Sequence, residues 1–194
     1  MTPVSMVDDE TARVAVLEVA DRVFYARGVA GVGMADIRDG SGVSLRRLYG
    51  LFPSKRDLVA AWLGERHRTW MAWFTDAVER SRAEGVEPLL AAFDAIEDWA
   101  ATPGYRGCAF LNTAAEATEI DDTHRAIIAE HKRGLIAYLA GLARAGGHEP
   151  ANEVAETIAV LLDGAIVESA VLSSPRPIAA ARAAAARILQ EERR

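Results

Sequence analysis

Cysteine is nearly absent from this chain: Cys108 is the only one in 194 residues. That excludes an internal disulfide framework and a Cys-rich zinc site, and it suits a reducing cytoplasm. Aromatics are sparse, with four Trp, four Tyr and five Phe, and there are seven prolines. Long apolar runs are missing too. The longest uncharged stretch, Gly134 to Ala143, has ten residues, short of the ~18 that a membrane-spanning helix needs. The N-terminus carries Asp8, Asp9 and Glu10, where a secretory leader would be basic and then apolar. What is abundant is alanine, 38 residues, which with few prolines favours helix throughout. The expectation is a soluble, cytoplasmic, all-α protein.

Charge is unevenly placed. The net charge is −6, but residues 1–56 carry +1 and residues 57–194 carry −7. Ser44 to Arg56 holds four bases and no acid. One short basic segment on an acidic body is a localised footprint for an anionic partner; its plainer reading is a solvated turn with some arginines.

Hydrophobic periodicity divides the chain into nine helices. Val14, Leu17, Ala20 and Phe24 recur at helical spacing over Thr11–Arg27, with Gly28 placed to cap the end. Met34–Ser41 and Leu45–Phe52 are two short helices joined by Gly42-Val43-Ser44, and Pro53 stops the second. Ser54 caps a long helix, Lys55 to about Arg82. Helices follow over Pro88–Ala101, Cys108–Thr118, Asp121 or Asp122 to Ala145, Asn152–Leu172 and Ile178–Glu192. The alanine-rich run 179–186 lies in a helical pattern, and no strand alternation of useful length and no internal repeat is present.

Two short helices around a glycine turn, with a third ahead of them, are the parts of a helix-turn-helix. Val43 is placed to plug the core between them, and Leu48 and Phe52 face inward. Ser44, Arg46 and Arg47 open the second helix, where polar groups can reach base edges. An arginine fork matches the O6 and N7 acceptors of guanine. Tyr49 can reach a phosphate, and Ser54 and Lys55 start the next helix, where backbone N–H groups and an ammonium suit another.

In order and spacing, residues 14–63 resemble the N-terminal domain of the TetR family of bacterial transcriptional regulators. The matching stretches are 16–20 (Val-Leu-Glu-Val-Ala), 24–28 (Phe-Tyr-Ala-Arg-Gly), Asp36-Ile37, Gly42-Val43-Ser44, Leu48-Tyr49 and 52–58 (Phe-Pro-Ser-Lys-Arg-Asp-Leu). The remaining three quarters match mainly in length and helix layout. The resemblance implies a DNA-binding domain over 1–53, and a ligand-binding, dimerising body over 54–194. It also puts Ser44, Tyr49 and Lys55 at DNA-contacting positions. The chain departs from the pattern at Gly33, where a hydroxyl cap is usual, leaving only its backbone amide for a phosphate. It departs again at Leu45, Arg46, Arg47, Gly50 and Leu51, and Gly40 weakens the second helix by roughly 1 kcal/mol relative to alanine. The expected DNA-contacting set is Gly33, Ser44, Leu45, Arg46, Arg47, Tyr49, Gly50, Ser54 and Lys55.

In the body, Leu63, His67, Trp70 and Phe74 share a helical face. They read either as bundle core or as one wall of an apolar ligand pocket. Arg106 to Asn112 weakly resembles a Gly-Cys-x-Phe-x-Asn stretch of some TetR-like proteins. Cys108 and Phe110, with Asn112 and Glu116 four apart, are the candidates for the facing wall. A carboxylate there would favour a cationic aromatic ligand. Cys108 has no activating neighbour in sequence and reads as an inert buried thiol. His124 and His131 are seven apart, about 10.5 Å along a helix, too far to bind one metal together. No metal-ligand spacing, nucleophile elbow or phosphate loop occurs, so no enzyme, cofactor or metal is expected. A helical-bundle enzyme or metal-binding protein, in which residues 34–52 are only a helical hairpin, remains the rival of another class.

Asn152–Leu172 is apolar on several sides, which marks a buried helix. With the last helix it forms either the centre of a monomeric bundle or, as the resemblance implies, a dimer interface. The residues expected there are Ile158, Leu161, Leu162, Ala165, Ile166, Ile178, Ala181, Ala185 and Leu189. The expected function is a homodimeric repressor on a palindromic double-stranded DNA operator, released by a small apolar or aromatic effector. An activator or a ligand-independent regulator is the alternative.

Overall fold

A computed structural model describes residues 9–116 and 120–191. Its helices are α1 (Asp9–Arg27), α2 (Met34–Ser41), α3 (Leu45–Leu51), α4 (Lys55–Ala83), α5 (Pro88–Ala100), α6 (Ala109–Ala115), α7 (Asp122–Gly146), α8 (Ala151–Leu172) and α9 (Arg176–Glu191). No strand occurs among the described residues. The all-α expectation holds, and the helix boundaries agree to within a few residues except at α6. That helix ends at Ala115, and residues 117–118 of its expected span lie outside the described residues. Arg176 rather than Ile178 opens α9, because Pro177 in the first turn needs no N–H donor there. Pro150 rather than Asn152 stands at the N-cap of α8.

The chain divides into two units. The first comprises residues 1–67 and 110–128, the second residues 68–109 and 129–194. The first therefore extends past residue 53, the expected end of the head.

In the first unit α1, α2 and α3 pack on one another. Val16, Val19, Ala20 and Phe24 of α1 are buried, as are Ile37 of α2, Leu48 of α3, Phe52, and Leu58, Val59 and Trp62 of α4. The Phe24 and Trp62 rings lie 5.2 Å apart. Trp62 Nε1 donates to Asp21 Oδ1 at 2.7 Å, so the indole's polar edge is satisfied as its ring is buried. Arg66 also donates to that carboxylate. Gly40 marks the crossing of α2 over α1: a Cβ there would lie 2.7 Å from Val19 Cγ1. Its cost to helix propensity is the condition for that approach.

In the second unit α5, α8 and α9 pack together. Leu89, Phe93 and Ile96 of α5, Val154, Ile158, Leu162 and Ile166 of α8, and Ile178, Ala185 and Leu189 of α9 are all buried. Arg182 of α9 ties to Asp94 of α5 at 2.6 Å, and Asp94 also accepts from Ser81 of α4 at 3.1 Å. The Asp94 carboxylate raises the Arg182 pKa above its ordinary value. His148 meets Glu87 at 3.0 Å, while the other Glu87 oxygen caps α5 by accepting from Leu90 N. Among the described residues no helix is long and apolar enough to cross a membrane.

Candidate nucleic-acid interface

The turn between α2 and α3 is built by Gly42, which closes α2 in the left-handed region at φ 68° and donates its N–H to Arg38 O. A β-carbon is unfavourable in that conformation, so the glycine is required for the tight reversal. Ser44 then opens α3 and accepts from Arg47 N at 3.3 Å, satisfying one of the helix's open amides. Leu48 turns fully inward. The opposite side of α3 is solvent-facing: Leu45 is 42% and Tyr49 46% exposed, and Ser44, Arg46 and Gly50 are exposed with them. A seven-residue helix anchored by one buried leucine thus presents a hydroxyl, a guanidinium, a phenol and an open glycine on one face.

The flanks supply further polar groups. Ser54 caps α4 and exchanges hydrogen bonds with Asp57: its hydroxyl donates to Asp57 Oδ2 at 2.7 Å, and Asp57 N donates back at 3.2 Å. Lys55 follows, half-buried at the helix start. Arg47 is also half-buried and is not presented like Arg46; Nε and Nη2 both donate to Asp9 Oδ1 at 3.2 and 2.7 Å. The separation of 38 positions between Asp9 and Arg47 gives no local pattern that would pair them.

Gly33 needs a correction. Its amide was expected to be left for a phosphate, but it donates to Asp36 Oδ2 at 2.8 Å. Asp36 also accepts from Arg27 at 2.9 Å. The Gly33 N–H and the Arg27 guanidinium hold the Asp36 carboxyl below its usual range.

The expected ligand residues are divided between the units. Leu63, His67, Phe110, Asn112 and Glu116 belong to the first, and Trp70, Phe74 and Cys108 to the second. Glu116 is not an open pocket carboxylate: its oxygens accept from Val29 N at 3.0 Å and Ala30 N at 2.6 Å. Asn112 is exposed. In the second unit Trp70 stacks on Phe74 at 4.8 Å and meets Trp73, Trp99 and His131 at 5.3–6.2 Å. Phe74 meets Tyr138 at 5.9 Å. Desolvation, with the Glu79 charge second, pushes the Tyr138 phenol up to about 12. Trp70 Nε1 is buried without a hydrogen-bond partner among the described residues. Trp73, three residues on along α4, is a neighbour of Trp70 by helical spacing, whereas Trp99 reaches Trp70 and Tyr138 reaches Phe74 only through tertiary packing. Cys108 is buried. His124 lies in the first unit, where Nδ1 accepts from Asp121 N at 3.1 Å and Nε2 faces Arg56 O at 3.0 Å.

The expected dimer residues are corrected in the same way. Ile158, Leu162, Ala165, Ile166, Ile178, Ala185 and Leu189 are at most 4% exposed in the single protomer, where α8 and α9 pack on each other. Leu161 and Ala181 are half-buried. The outward apolar residues of α8 are Val160, Val167, Val171 and Leu172, 43–74% exposed.

Comparison with known proteins agrees with this architecture. Residues 16–62 match the family of bacterial regulatory proteins, tetR family, and residues 85–185 match the tetracyclin repressor-like C-terminal domain. The chain is 40% identical over 60 residues to the HTH-type transcriptional regulator TtgR of Pseudomonas putida, a match covering 31% of this chain and 29% of that protein. A TetR-family transcriptional regulator of Streptomyces coelicolor, SCO4454, superposes with TM-score 0.79 at 27% identity, covering 93% of this chain and 95% of its own. A TetR-type regulator of Streptomyces avermitilis, sav143, gives 0.72 at 26% identity over 90% of this chain and 97% of its own. With its head and its body each matched by the corresponding domain model, this chain belongs to the tetR family of bacterial regulatory proteins.

Proposed function

We propose that this chain is a homodimeric transcriptional repressor that binds a palindromic operator through α3 and is released by a small apolar or aromatic effector. The observation that carries the DNA reading is the exposed face of α3: one inward leucine leaves Leu45, Arg46, Tyr49 and Gly50 open to a groove. Arg46, the exposed one of the two adjacent arginines, supplies the base-reading chemistry, and Ser44, Tyr49, Ser54 and Lys55 the phosphate contacts. A gel shift on the DNA upstream of its own gene, with a random duplex as competitor, tests this. Equal binding to both would remove the operator reading.

The dimer reading follows from the size of the head. One short helix reads few base pairs, and paired heads reach half-sites one helical turn apart. The surface suited to a second copy is the stripe Val160, Gly164, Val167 and Val171, at spacings of four, three and four, so that they share a face of α8. All four residues are exposed, and Gly164 leaves open space at its centre. Exposed Ala179, Ala180 and Ala183 of α9 permit close approach.

The effector reading rests on the aromatic group around Trp70, whose buried indole N–H is an unanswered donor. Buried donors normally find partners, and a ligand acceptor would supply one. Effector binding that favours a head spacing unlike the operator's would release DNA through a coupling free energy between sites.

A further inference from the structure

Two neighbouring arginines on α3 stand in different states. Arg46 is exposed. Arg47 has 29% side-chain exposure and gives two donors, Nε and Nη2, to one oxygen of Asp9, whose own side chain is 80% exposed. Successive residues of a helix point about 100° apart. Leu45, Arg46, Tyr49 and Gly50 therefore form the open face, and Arg47 lies on the flank beside the first residue of α1.

We propose that Asp9 is a specificity-determining positioning residue, acting through Arg47, for the DNA contact made by α3. The proposal rests on the reading of α3 as the DNA-contacting helix. A guanidinium at the edge of such a helix would contact any phosphate, and each phosphate neutralised adds affinity that carries no sequence information. Genomic DNA offers a vast excess of non-specific sites, so the useful quantity is the ratio of specific to non-specific binding. The Asp9 carboxylate cancels the Arg47 charge and fixes its fork through two hydrogen bonds. Arg46 is left to read base edges, and Arg47 is withheld from indiscriminate phosphate contact.

The test uses the full chain and a fluorescent random-sequence duplex, titrated across a range of salt concentrations. Asp9→Asn keeps an acceptor oxygen but removes the charge. It should raise random-duplex affinity several-fold and steepen the log–log salt slope by about 0.9 per protomer, one phosphate each. Asp9→Glu should restore the original slope. In an Arg47→Gln background, Asp9→Asn should change neither quantity. An equal gain in that background would show a general charge effect and overturn the proposal, as would an unchanged slope in Asp9→Asn itself. A second arm selects duplexes from a randomised pool. Arg46→Gln should relax one selected base pair and Arg47→Gln none; the reverse result makes Arg47 the reader and also overturns the proposal. Should the unmutated chain select no sequence, the proposed operator binding fails, while the random-duplex titration still decides whether Asp9 withholds Arg47 from phosphates.

Discussion

Glu116 Oε2 accepts a 2.6 Å hydrogen bond from the backbone N–H of Ala30, 86 positions earlier, while Oε1 takes the neighbouring amide of Val29 at 3.0 Å. A carboxylate following α6 thereby closes the amides just past the end of α1. Hydrogen bonds to a charged group contribute more than neutral ones, and two are lost together on truncation. Glu116→Ala should destabilise the protein by about 1–3 kcal/mol. Hydrogen exchange at Val29 and Ala30 should accelerate selectively, and Glu116→Gln, which keeps one acceptor, should lie between. Unchanged exchange at both amides would remove this role.

Acid should act on the same unit through Asp36. Its pKa is lowered, first by the Gly33 N–H and next by Arg27, so the folded state favours the ionised form. That contribution is complete above the unfolded value near 3.8 and is lost as pH falls through the lower folded value. Melting temperatures between pH 2.5 and 7 should fall below about pH 4, and the fall should be shallower in Asp36→Asn, which starts from a lower plateau.

Gly40→Ala separates local propensity from packing. Propensity alone favours alanine by roughly 1 kcal/mol. The new Cβ would meet Val19 Cγ1 at 2.7 Å, and overpacking a tight contact costs about 1–3 kcal/mol. A net loss of stability is expected in denaturant titration, with Val19→Ala partly restoring it in the double variant. A plain gain would mean that α2 does not cross α1 so closely.

The two kinds of apolar residue on α8 should respond differently to a charge. Ile166 is 2% exposed, so Ile166→Glu buries an unpaired carboxylate and should unfold the chain. Val171 is 74% exposed, so Val171→Glu should leave the fold and its melting cooperativity intact while sedimentation shifts from dimer to monomer. A folded Val171→Glu dimer would place the second copy elsewhere.

Trp70 tests the effector reading. An aromatic ligand should quench tryptophan fluorescence and release DNA. Trp70→Ala should raise the ligand concentration required while leaving ligand-free DNA binding nearly unchanged. If the variant unfolds instead, the Trp70–Phe74 stack serves the core. Trp70→Phe, which keeps a ring but removes the N–H, then isolates the contribution of the indole donor.

Local sequence was enough for the helices and the head. Helical period, the Gly42 turn, the Ser44 and Ser54 caps and the inward Leu48 are all short-range signals, set by backbone sterics and by where apolar side chains recur. The composition of the α3 face is equally local, since a single buried leucine determines which side looks outward. Tertiary structure decided what each polar or apolar group is used for. Glu116 and Asn112 share a helical spacing, yet the Glu116 carboxylate goes to amides 86 and 87 residues away. Arg46 and Arg47 are adjacent and chemically identical, yet only Arg47 meets Asp9. Ile166 and Val167 are neighbours in an apolar run, but one closes the protomer's own core and the other lies open. Periodicity reports that a helix has an apolar side. Which neighbour covers that side, and which distant donor reaches a given carboxylate, depends on contacts between segments far apart in the chain, and no local pattern encodes those.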